Sequence, residues 1–420
     1  MSPLRSVEEH LAGILAAVRV LDVDVVETGG GEAELLGRTL RAPLRARVDI
    51  PVFDNSAMDG FAVRFADVSD ASREAPAQLR VVADLPAGSP LDPPLQRGEA
   101  ARIMTGSAVP TDADAVVPFE DTAGGLADSL GDIAVLAAPA RVGAHIRRRG
   151  EDAVTGDELL PAGVELGPFQ IAAAAAAGIP ELTVSRRPRV TVISTGSELV
   201  EPGRLLQRGQ IPESNSRLLT ALAVRAGAVV AWRDSVSDDG DALDTVLRRV
   251  LDPASPEHSD VIVFSGGVSA GAYEVVKNTL SGTMTFSSVA MQPGKPQGFG
   301  VAEGGALLFG LPGNPVSAAV SFEVFVRPAL LAMQGRTELH RPVLRLPAAS
   351  GWRTPPGRRQ YLPAAIDRSD PAGWSVRPAT SGGSGSHLAG GLALAEAYAV
   401  VPAEVAVVDA GDLVDVMLIP

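Results

Sequence analysis

The sequence predicts a multidomain α/β plus β protein, with a central doubly wound parallel α/β domain between β-rich N-terminal domains and a small C-terminal β domain. Its length of 420 residues is enough for about two to four domains. From about residue 189 to 333, apolar strands alternate with helices, as in a parallel sheet covered on both faces. Before and after this stretch, short β-rich runs alternate with Pro/Gly turns, which indicates little helix there.

Three regions follow from this pattern: residues 1–185, with an inserted β subdomain at about 54–140, the α/β domain at 186–333, and the C-terminal β domain at 334–420. The first region opens with a helix, because Ser6 and Glu9 have the spacing of a capping box. Pro168 and Gly178 bracket a second, short helix, since Pro is favoured just inside a helix start and Gly just past its end.

Three turns follow strands of the α/β domain: TGSE at 195–198, SGGVSAG at 265–271 and LPGNP at 311–315. Ligands of parallel sheets bind at the carboxyl ends of the strands, so we expect these turns to line one site. Glycine-rich turns beside a helix N-terminus present backbone N–H groups to an anion. A tight βα turn explains each one about as well, but together they favour a phosphate or oxyanion.

The composition excludes several classes of function. The chain has 36 Lys+Arg and 50 Asp+Glu, a formal net charge of −14, which argues against nucleic acid as the main partner. It has no cysteine and five histidines, so disulfides, thiolate chemistry and a zinc site are not expected. The longest uninterrupted apolar stretch, 171–179, is about half the length of a membrane span. We therefore expect a soluble cytoplasmic protein without a membrane partner.

Carboxylates that could act in a site occur in two turn-like segments, DNSAMDG at 54–60 and RRRGED at 147–152. Others stand at strand ends or helix starts of the α/β domain: Glu198, Asp238, Asp239 and Glu274. For any one of them a helix cap or a turn bond is the commoner role. As a cluster, such hard oxygen ligands suit Mg²⁺ better than zinc.

Basic residues suggest where an anion binds. Lys295 lies in PGKP, between two prolines, in a chain that uses lysine sparingly, and Arg358 lies in TPPGRRQ. The run Arg147–Arg149 is a further candidate clamp, although such a run is most often a solvated turn. From the residues alone we infer an enzyme or binder of an anionic, phosphate-bearing ligand with Mg²⁺, and the reaction stays open.

Seven motifs occur in an order that resembles a known family: FDNSAMDGFAV, RIMTGSAVP, IRRRGED, STGSEL, SGGVSAG, PGKP and GLPGNPVSA. Together they resemble the molybdopterin molybdenumtransferases, the MoeA family that includes the gephyrin E domain, from about residue 6 to the end. The resemblance implies insertion of molybdate into adenylyl-molybdopterin, with Mg²⁺ present, to give molybdenum cofactor and AMP. It also implies a homodimer with its site between protomers, and contacts with an adenylyltransferase and with recipient molybdoenzymes.

The resemblance also implies roles for single residues. The glycine turns and Lys295 would hold the pterin phosphate and pyrophosphate, Arg358 and Ser386 would receive molybdate, and Asp59 and Asp152 would manage protons. The implied catalytic residues are Asp59, Thr105, Asp152, Glu198, Asp238 or its neighbour Asp239, and Glu274, of which Glu198, Asp238 and Glu274 would hold the metal. The implied substrate-binding residues are Ser265, Gly266, Gly267, Ser269, Lys295, Pro312, Gly313, Asn314, Pro315, Arg358 and Ser386.

The chain departs from the family pattern at three positions. Glu274 stands where many members have Asp, and Gln292 and Ser288 stand where members with the KPGKP form have lysines. Losing two cations weakens the expected attraction of an anion. The alternatives are therefore a molybdopterin adenylyltransferase-like enzyme, a non-catalytic molybdopterin-binding scaffold, and a tungstate-using or divergent paralogue. The DNSAMDG and RRRGED segments and the β-rich tail favour the molybdenum-inserting enzyme over the adenylyltransferase.

Overall fold

A computed structural model describes residues 4–125, 130–236, 240–267, 275–370, 373–380 and 389–419. The first helix has the predicted capping box: the Ser6 hydroxyl accepts from the Glu9 N–H, and the Glu9 carboxylate accepts from the Ser6 N–H, both at 3.0 Å. The elements of the N-terminal region are α1 (Val7–Ala17), β1 (Val23–Glu27), α2 (Glu32–Leu35), β2 (Leu44–Arg45), β3 (Asn55–Ser56), β4 (Gly60–Val63), β5 (Ala77–Leu85), β6 (Glu99–Ile103), β7 (Ala115–Pro118), β8 (Asp132–Val135), β9 (Ile146–Arg147), β10 (Glu158–Leu160), α3 (Pro168–Ala176) and β11 (Glu181–Ser185).

A five-stranded sheet forms within this region, with the order β7-β4-β6-β5-β8. Its apolar side chains pack into cores on both faces, one around Phe61 and Phe119 and one around Leu85 and Leu95. The strands β1 and β11 pair antiparallel, as do β2 and β10, so residues distant in sequence close the chain around the inserted sheet.

The central region holds a six-stranded sheet with the order β15-β12-β16-β20-β19-β17. Its first four strands are parallel, as predicted. The strands β19 and β17 add an antiparallel edge that the prediction lacks, because the short connection between β19 and β20 cannot form a crossover. The elements are β12 (Arg189–Thr195), β13 (Leu199–Val200), β14 (Ile211–Pro212), α4 (Asn215–Arg225), β15 (Val229–Val236), α5 (Gly240–Leu251), β16 (Val261–Ser265), α6 (Val275–Leu280), β17 (Met284–Ser288), β18 (Met291–Gln292), β19 (Pro296–Val301), β20 (Leu307–Leu311), α7 (Pro315–Ser321) and, after a π-helical turn (Phe322–Val326), α8 (Arg327–Met333).

Helices cover both faces of this sheet. Alternate residues of the same strands, such as Val192 and Ile193, belong to two different apolar clusters. One cluster includes α1, α4, α7 and α8, and the other includes α5 and α6. This two-sided burial is what the continuous apolar strands predicted.

The helical run Pro315–Met333 is long and apolar enough to cross a membrane, with a mean hydropathy of 1.5. However, 83% of its most apolar window is buried inside the protein. The run is therefore the core helix of the central region.

The C-terminal region forms a six-stranded sheet with the order β18-β23-β25-β27-β21, to which β24 adds by pairing with β23. Its first strand, β18, comes from the central region, so the two regions share a sheet. A buried ion pair joins them as well, since Arg341 donates to both oxygens of Glu323 at 2.9 and 3.1 Å. The elements are β21 (Val343–Pro347), β22 (Trp352–Arg353), β23 (Arg359–Asp367), β24 (Ser375–Pro378), α9 (Ala389–Leu392), β25 (Ala397–Val401), β26 (Val407–Val408) and β27 (Leu413–Leu418).

Candidate functional site

The three turns at the carboxyl ends of β12, β16 and β20 meet around Gly266. Its N–H donates to the carbonyl of Leu311 at 3.0 Å, and its Cα lies 3.5 Å from the position that a Cβ on Gly313 would occupy. The turn after β12 reaches the same point, because a Cβ on Gly266 would lie 2.7 Å from the carbonyl oxygen of Thr195. The chain thus brings TGSE, SGG and LPGN together at one edge of the sheet.

The glycines at 266 and 267 are required by both conformation and space. Their φ angles are +94° and +67°, which side chains with a Cβ rarely adopt. A Cβ at either position would also lie within 3.0 Å of the Thr195 hydroxyl. The backbone of this turn can therefore approach Thr195, and since the Gly266 N–H is bonded to Leu311, the Gly267 N–H is the one offered to an anion.

Asn215, the first residue of α4, joins two of the turns. Its Nδ2 donates to Oγ of Ser265 at 2.8 Å and to the carbonyl of Gly313 at 2.6 Å. The cap itself is supplied by Glu213, which is buried and accepts from the Ser216 N–H at 2.7 Å. Asn215 is thus free of the capping role and lies at the centre of the site.

Glu198 is the last residue of the TGSE turn, and it is the carboxylate that the described part of the three turns contains. It is exposed, and both of its oxygens lie 2.7 Å from the position of a Cβ on Gly196, so a side chain at 196 would displace the carboxylate. Across the described ranges no Lys or Arg forms an ion pair with it, and no group of three or more acidic or histidine side chains could hold a metal. One uncompensated carboxylate beside a phosphate-type turn fits Mg²⁺, which is often bound through one or two carboxylates plus substrate phosphates.

Asp59 and Thr105 form a second group, on the five-stranded sheet. Asp59 Oδ1 accepts from the Thr105 N–H at 2.6 Å and from its hydroxyl at 2.8 Å. The Thr105 N–H, and then its hydroxyl, hold the pKa of Asp59 below its usual range, so this carboxylate is ionised at neutral pH.

The RRRGED segment is held by acids that precede it in the chain. Asp54 accepts from the Arg149 N–H at 2.8 Å, and this bond with the Arg148 ion pair lowers the pKa of Asp54. Asp49 accepts two bonds from Thr155, which together with Arg149 lower its pKa to about 2. Asp152 lies between these bonds, its N–H donates to the carbonyl of Ile50 at 2.9 Å, and its side chain is exposed. Arg148 and Arg149 are therefore neutralised locally and are weak candidates for an anion clamp.

Lys295 and Arg358 are brought to the same turn by the strand β18. This strand pairs with the start of β23, so that Met291 lies opposite Arg359. Arg358 is half-buried and its Nη1 donates to Oε1 of Gln292 at 2.8 Å. Lys295 is one of two lysines in the chain and is half-buried. Within the described part of the chain neither cation has a carboxylate partner.

The turn that carries Lys295 is fixed by Gln297, which sequence analysis missed. Gln297 is 1% exposed, and its Nε2 donates to the carbonyl of Gly294 at 2.6 Å and to the hydroxyl of Ser321 at 2.7 Å. Ser321 lies in α7, so the turn is anchored to the core helix. The one sequence signal would have been a glutamine inside an otherwise apolar strand, which needs a buried partner.

The predicted residues thus fall into three groups in the described chain. Ser265, Gly266, Gly267, Pro312, Gly313, Asn314 and Pro315 line the edge near Glu198, with Asn314 at the N-cap position of α7 and Pro315 starting the helix. Asp59 bonds Thr105, and Lys295 lies near Arg358, but no hydrogen bond found among the described residues joins Asp59 to Glu198. The predicted residues Asp238, Asp239, Ser269, Glu274 and Ser386 lie outside the described residues.

Comparison with known proteins covers almost the whole chain. Residues 5–178 match a family model described as the MoeA N-terminal region, 191–332 match a probable molybdopterin binding domain, and 345–419 match the MoeA C-terminal region. A molybdopterin molybdenumtransferase 2 of Mycobacterium tuberculosis is 42% identical over 97% of this chain and 98% of its own length. The molybdopterin molybdenumtransferase of a Nostoc species is 37% identical over 73% of this chain and 69% of its own length.

The fold of the chain is also similar to that of a solved structure. The molybdopterin biosynthesis MoeA protein of Pyrococcus horikoshii has a TM-score of 0.81 and is 26% identical, over 99% of this chain and all of its own. The predicted fold class and the resemblance seen in the motifs are both confirmed by these matches.

Proposed function

The chain belongs to the molybdopterin molybdenumtransferase (MoeA) family, and we propose that it catalyses molybdenum insertion in molybdenum cofactor biosynthesis. The substrates are adenylyl-molybdopterin and molybdate, and the products are molybdenum cofactor and AMP. An adenylyltransferase supplies the first substrate, and molybdoenzymes receive the product. A cytoplasmic location fits a chain without cysteine.

The observation that carries the proposal is the pair of uncompensated cations at the β18 turn. A half-buried guanidinium whose described partner is the neutral amide of Gln292 retains its charge for a ligand. Lys295, held by the turn that Gln297 anchors, adds a second positive charge. Molybdate is a dianion with four oxygens, so it suits the two cations of these adjoining segments, which make no ion pair with the described residues.

The phosphates of the substrate bind at the edge where the three turns meet. The amide of Gly267 supplies a donor, and the start of α7 after Asn314 supplies a helix dipole. Glu198 would hold Mg²⁺ there, together with Asp238 and Glu274. When bound, the metal supplies charge stabilisation for the leaving AMP. The residues of the chain orient the phosphates and exclude other ligands.

Asp59 completes the site from a second protomer in a homodimer. In one chain its two bonds go to Thr105, on a sheet separate from the one that carries Glu198. Asp59 is ionised and can accept a proton as the dithiolene sulfurs bind molybdenum, although the bonds from Thr105, which lower its pKa, make it a weaker base. Asp152, exposed beside the segment that Asp49 and Asp54 hold, is the second proton acceptor.

The test compares two substitutions of neighbouring glutamates. Glu198→Gln removes the charge that faces the turns and is expected to lower cofactor formation at least a hundredfold, with unchanged circular dichroism. Glu201→Gln is the matched control, because Glu201 is exposed and paired with Arg217. Its rate should equal that of the wild type. A Glu198→Gln enzyme with the wild-type rate would remove the metal role of Glu198, and a wild type that forms no cofactor would overturn the proposed function.

A further inference from the structure

The side-chain amide of Asn215 is hydrogen-bonded through its nitrogen, whereas its oxygen has no partner among the described residues. Its Nδ2 bridges the ends of two neighbouring strands, through Ser265 after β16 and Gly313 after β20. Its Oδ1 is buried and has no hydrogen-bond partner among the residues that the structure describes. A buried amide oxygen left unpaired is costly, so an amide that is well bonded at one end calls for a partner at the other.

A second unpartnered atom lies at the same edge. Thr195 is 6% exposed, and its Oγ1 is buried and has no partner within the described ranges. This hydroxyl faces the glycine turn, since a Cβ on Gly266 or Gly267 would lie 2.9 or 3.0 Å from it. Two orphaned polar atoms therefore flank a turn whose own groups are backbone donors.

The chemistry of Oδ1 restricts what it can bind. An amide oxygen accepts hydrogen bonds and cannot donate, so it cannot pair with a phosphate oxygen. Its partner must carry an N–H or O–H group or be a metal ion such as Mg²⁺. The pterin ring system carries ring and exocyclic N–H groups, whereas its phosphate carries acceptors.

We propose that Asn215 is a substrate-recognition residue, which fixes the spacing of the two phosphate-binding turns through Nδ2 and accepts a hydrogen bond from a pterin N–H through Oδ1. This rests on the proposed function, since it takes molybdopterin as the ligand. Phosphate binding and pterin recognition are thereby coupled in one side chain, and Thr195 supplies a second polar contact beside it.

The test measures the affinity of two probes, molybdopterin and inorganic pyrophosphate, by calorimetry on the full chain. Binding of pyrophosphate depends on the phosphate-binding turns, but pyrophosphate has no N–H group to donate to Oδ1. Asn215→Ser loses both ends of the amide and is small enough to fit. Asn215→Asp keeps an acceptor in place of Oδ1 but loses the donor to Gly313. The control is Thr220→Val, which removes another orphaned hydroxyl of α4 that makes no described contact with the turns.

Asn215→Ser is expected to lower the affinity for both probes, and the affinity for molybdopterin should fall by a further factor on the order of ten. Asn215→Asp should lower the affinities for both probes by a similar factor, and Thr220→Val should change neither affinity. Equal losses of both probes in Asn215→Ser would overturn the recognition of the pterin, as expected if a water molecule occupies Oδ1. Wild-type affinities in Asn215→Ser would overturn the whole inference. A wild type that binds pyrophosphate but not molybdopterin would instead contradict the proposed function.

Discussion

The guanidinium of Arg358 donates a hydrogen bond from Nη1 to Oε1 of Gln292 at 2.8 Å, across the junction of the central and C-terminal regions. The contact exists because β18 leaves the central region and pairs with β23, next to Arg358. In the KPGKP form of this segment a lysine stands at position 292. The amide here orients the guanidinium without neutralising it, and it leaves the site with one positive charge fewer.

Gln292→Lys should therefore strengthen molybdate binding. The added ammonium acts on a dianion in a half-buried site, and we expect the KM for molybdate to fall by roughly three- to tenfold. Initial rates against molybdate concentration measure it. Gln78→Lys adds the same charge on an exposed strand position and should leave KM unchanged. A KM that is unchanged or higher in Gln292→Lys would show that orientation of Arg358 by the amide matters more than charge.

Thr105→Val should move the acidic limb of the pH–rate profile. The Thr105 N–H and hydroxyl lower the pKa of Asp59, and the substitution removes the hydroxyl. The pKa of Asp59 then rises towards its ordinary value, so activity is lost at a higher pH than in the wild type. Thr111→Val is the matched control, since Thr111 makes the same two bonds to Asp92. An acidic limb that stays in place would mean that Asp59 is not the group that titrates.

Mixing two inactive variants tests the homodimer. Asp59→Asn and Glu198→Gln each remove one acid from every composite site. After random subunit exchange about half of the dimers are mixed, and each of these has one intact site if the two acids come from different protomers. The mixture should recover about a quarter of the wild-type activity. No recovery, with exchange verified by mass spectrometry, would show that both acids act within one protomer.

Acid should weaken the fold through His10. This residue is 3% exposed on α1 and contacts Phe325 edge-on, with ring centroids 4.8 Å apart. Burial, with a contribution from Arg5, lowers its pKa to about 4, so between pH 6.5 and 4 the unfolded chain binds a proton that the folded chain does not. Stability then falls as the pH falls, by up to about 3 kcal/mol from this group.

His10→Leu removes that proton and should flatten the pH dependence in this window. Urea unfolding midpoints between pH 7 and pH 4.5 measure it. The substitution has its own packing effect, which shifts the curve at every pH, so the slope and not the level is compared. A slope equal to that of the wild type would assign the acid sensitivity to other groups.

The architecture of the site's main edge follows from the sequence, because parallel strands bring their following turns to the same side of a sheet. The positions of Gly266, Gly313 and Glu198 could thus be predicted from strand order alone. The contact between Gln292 and Arg358 could not, because β18 pairs outside its own region. Local patterns do not show which sheet a two-residue strand joins.

The contacts of two side-chain amides, Asn215 and Gln297, could not be predicted from the sequence either. Asn215 and Gln297 each bridge segments distant in sequence, and such bonds depend on tertiary contacts rather than on local preference. Asn215 stands at the start of α4, where an asparagine commonly caps a helix, but the buried Glu213 makes the capping bond. Helix-start preference describes the residue type and does not reveal where its amide points.

The central claim is tested most directly by AMP release from adenylyl-molybdopterin by the purified protein with Mg²⁺, with and without molybdate. Insertion predicts that AMP and molybdenum cofactor appear together, in equal amounts, and that both depend on molybdate. If AMP stays bound and no cofactor forms when molybdate is present, the chain does not insert molybdenum under these conditions. The non-catalytic molybdopterin-binding function would then replace it.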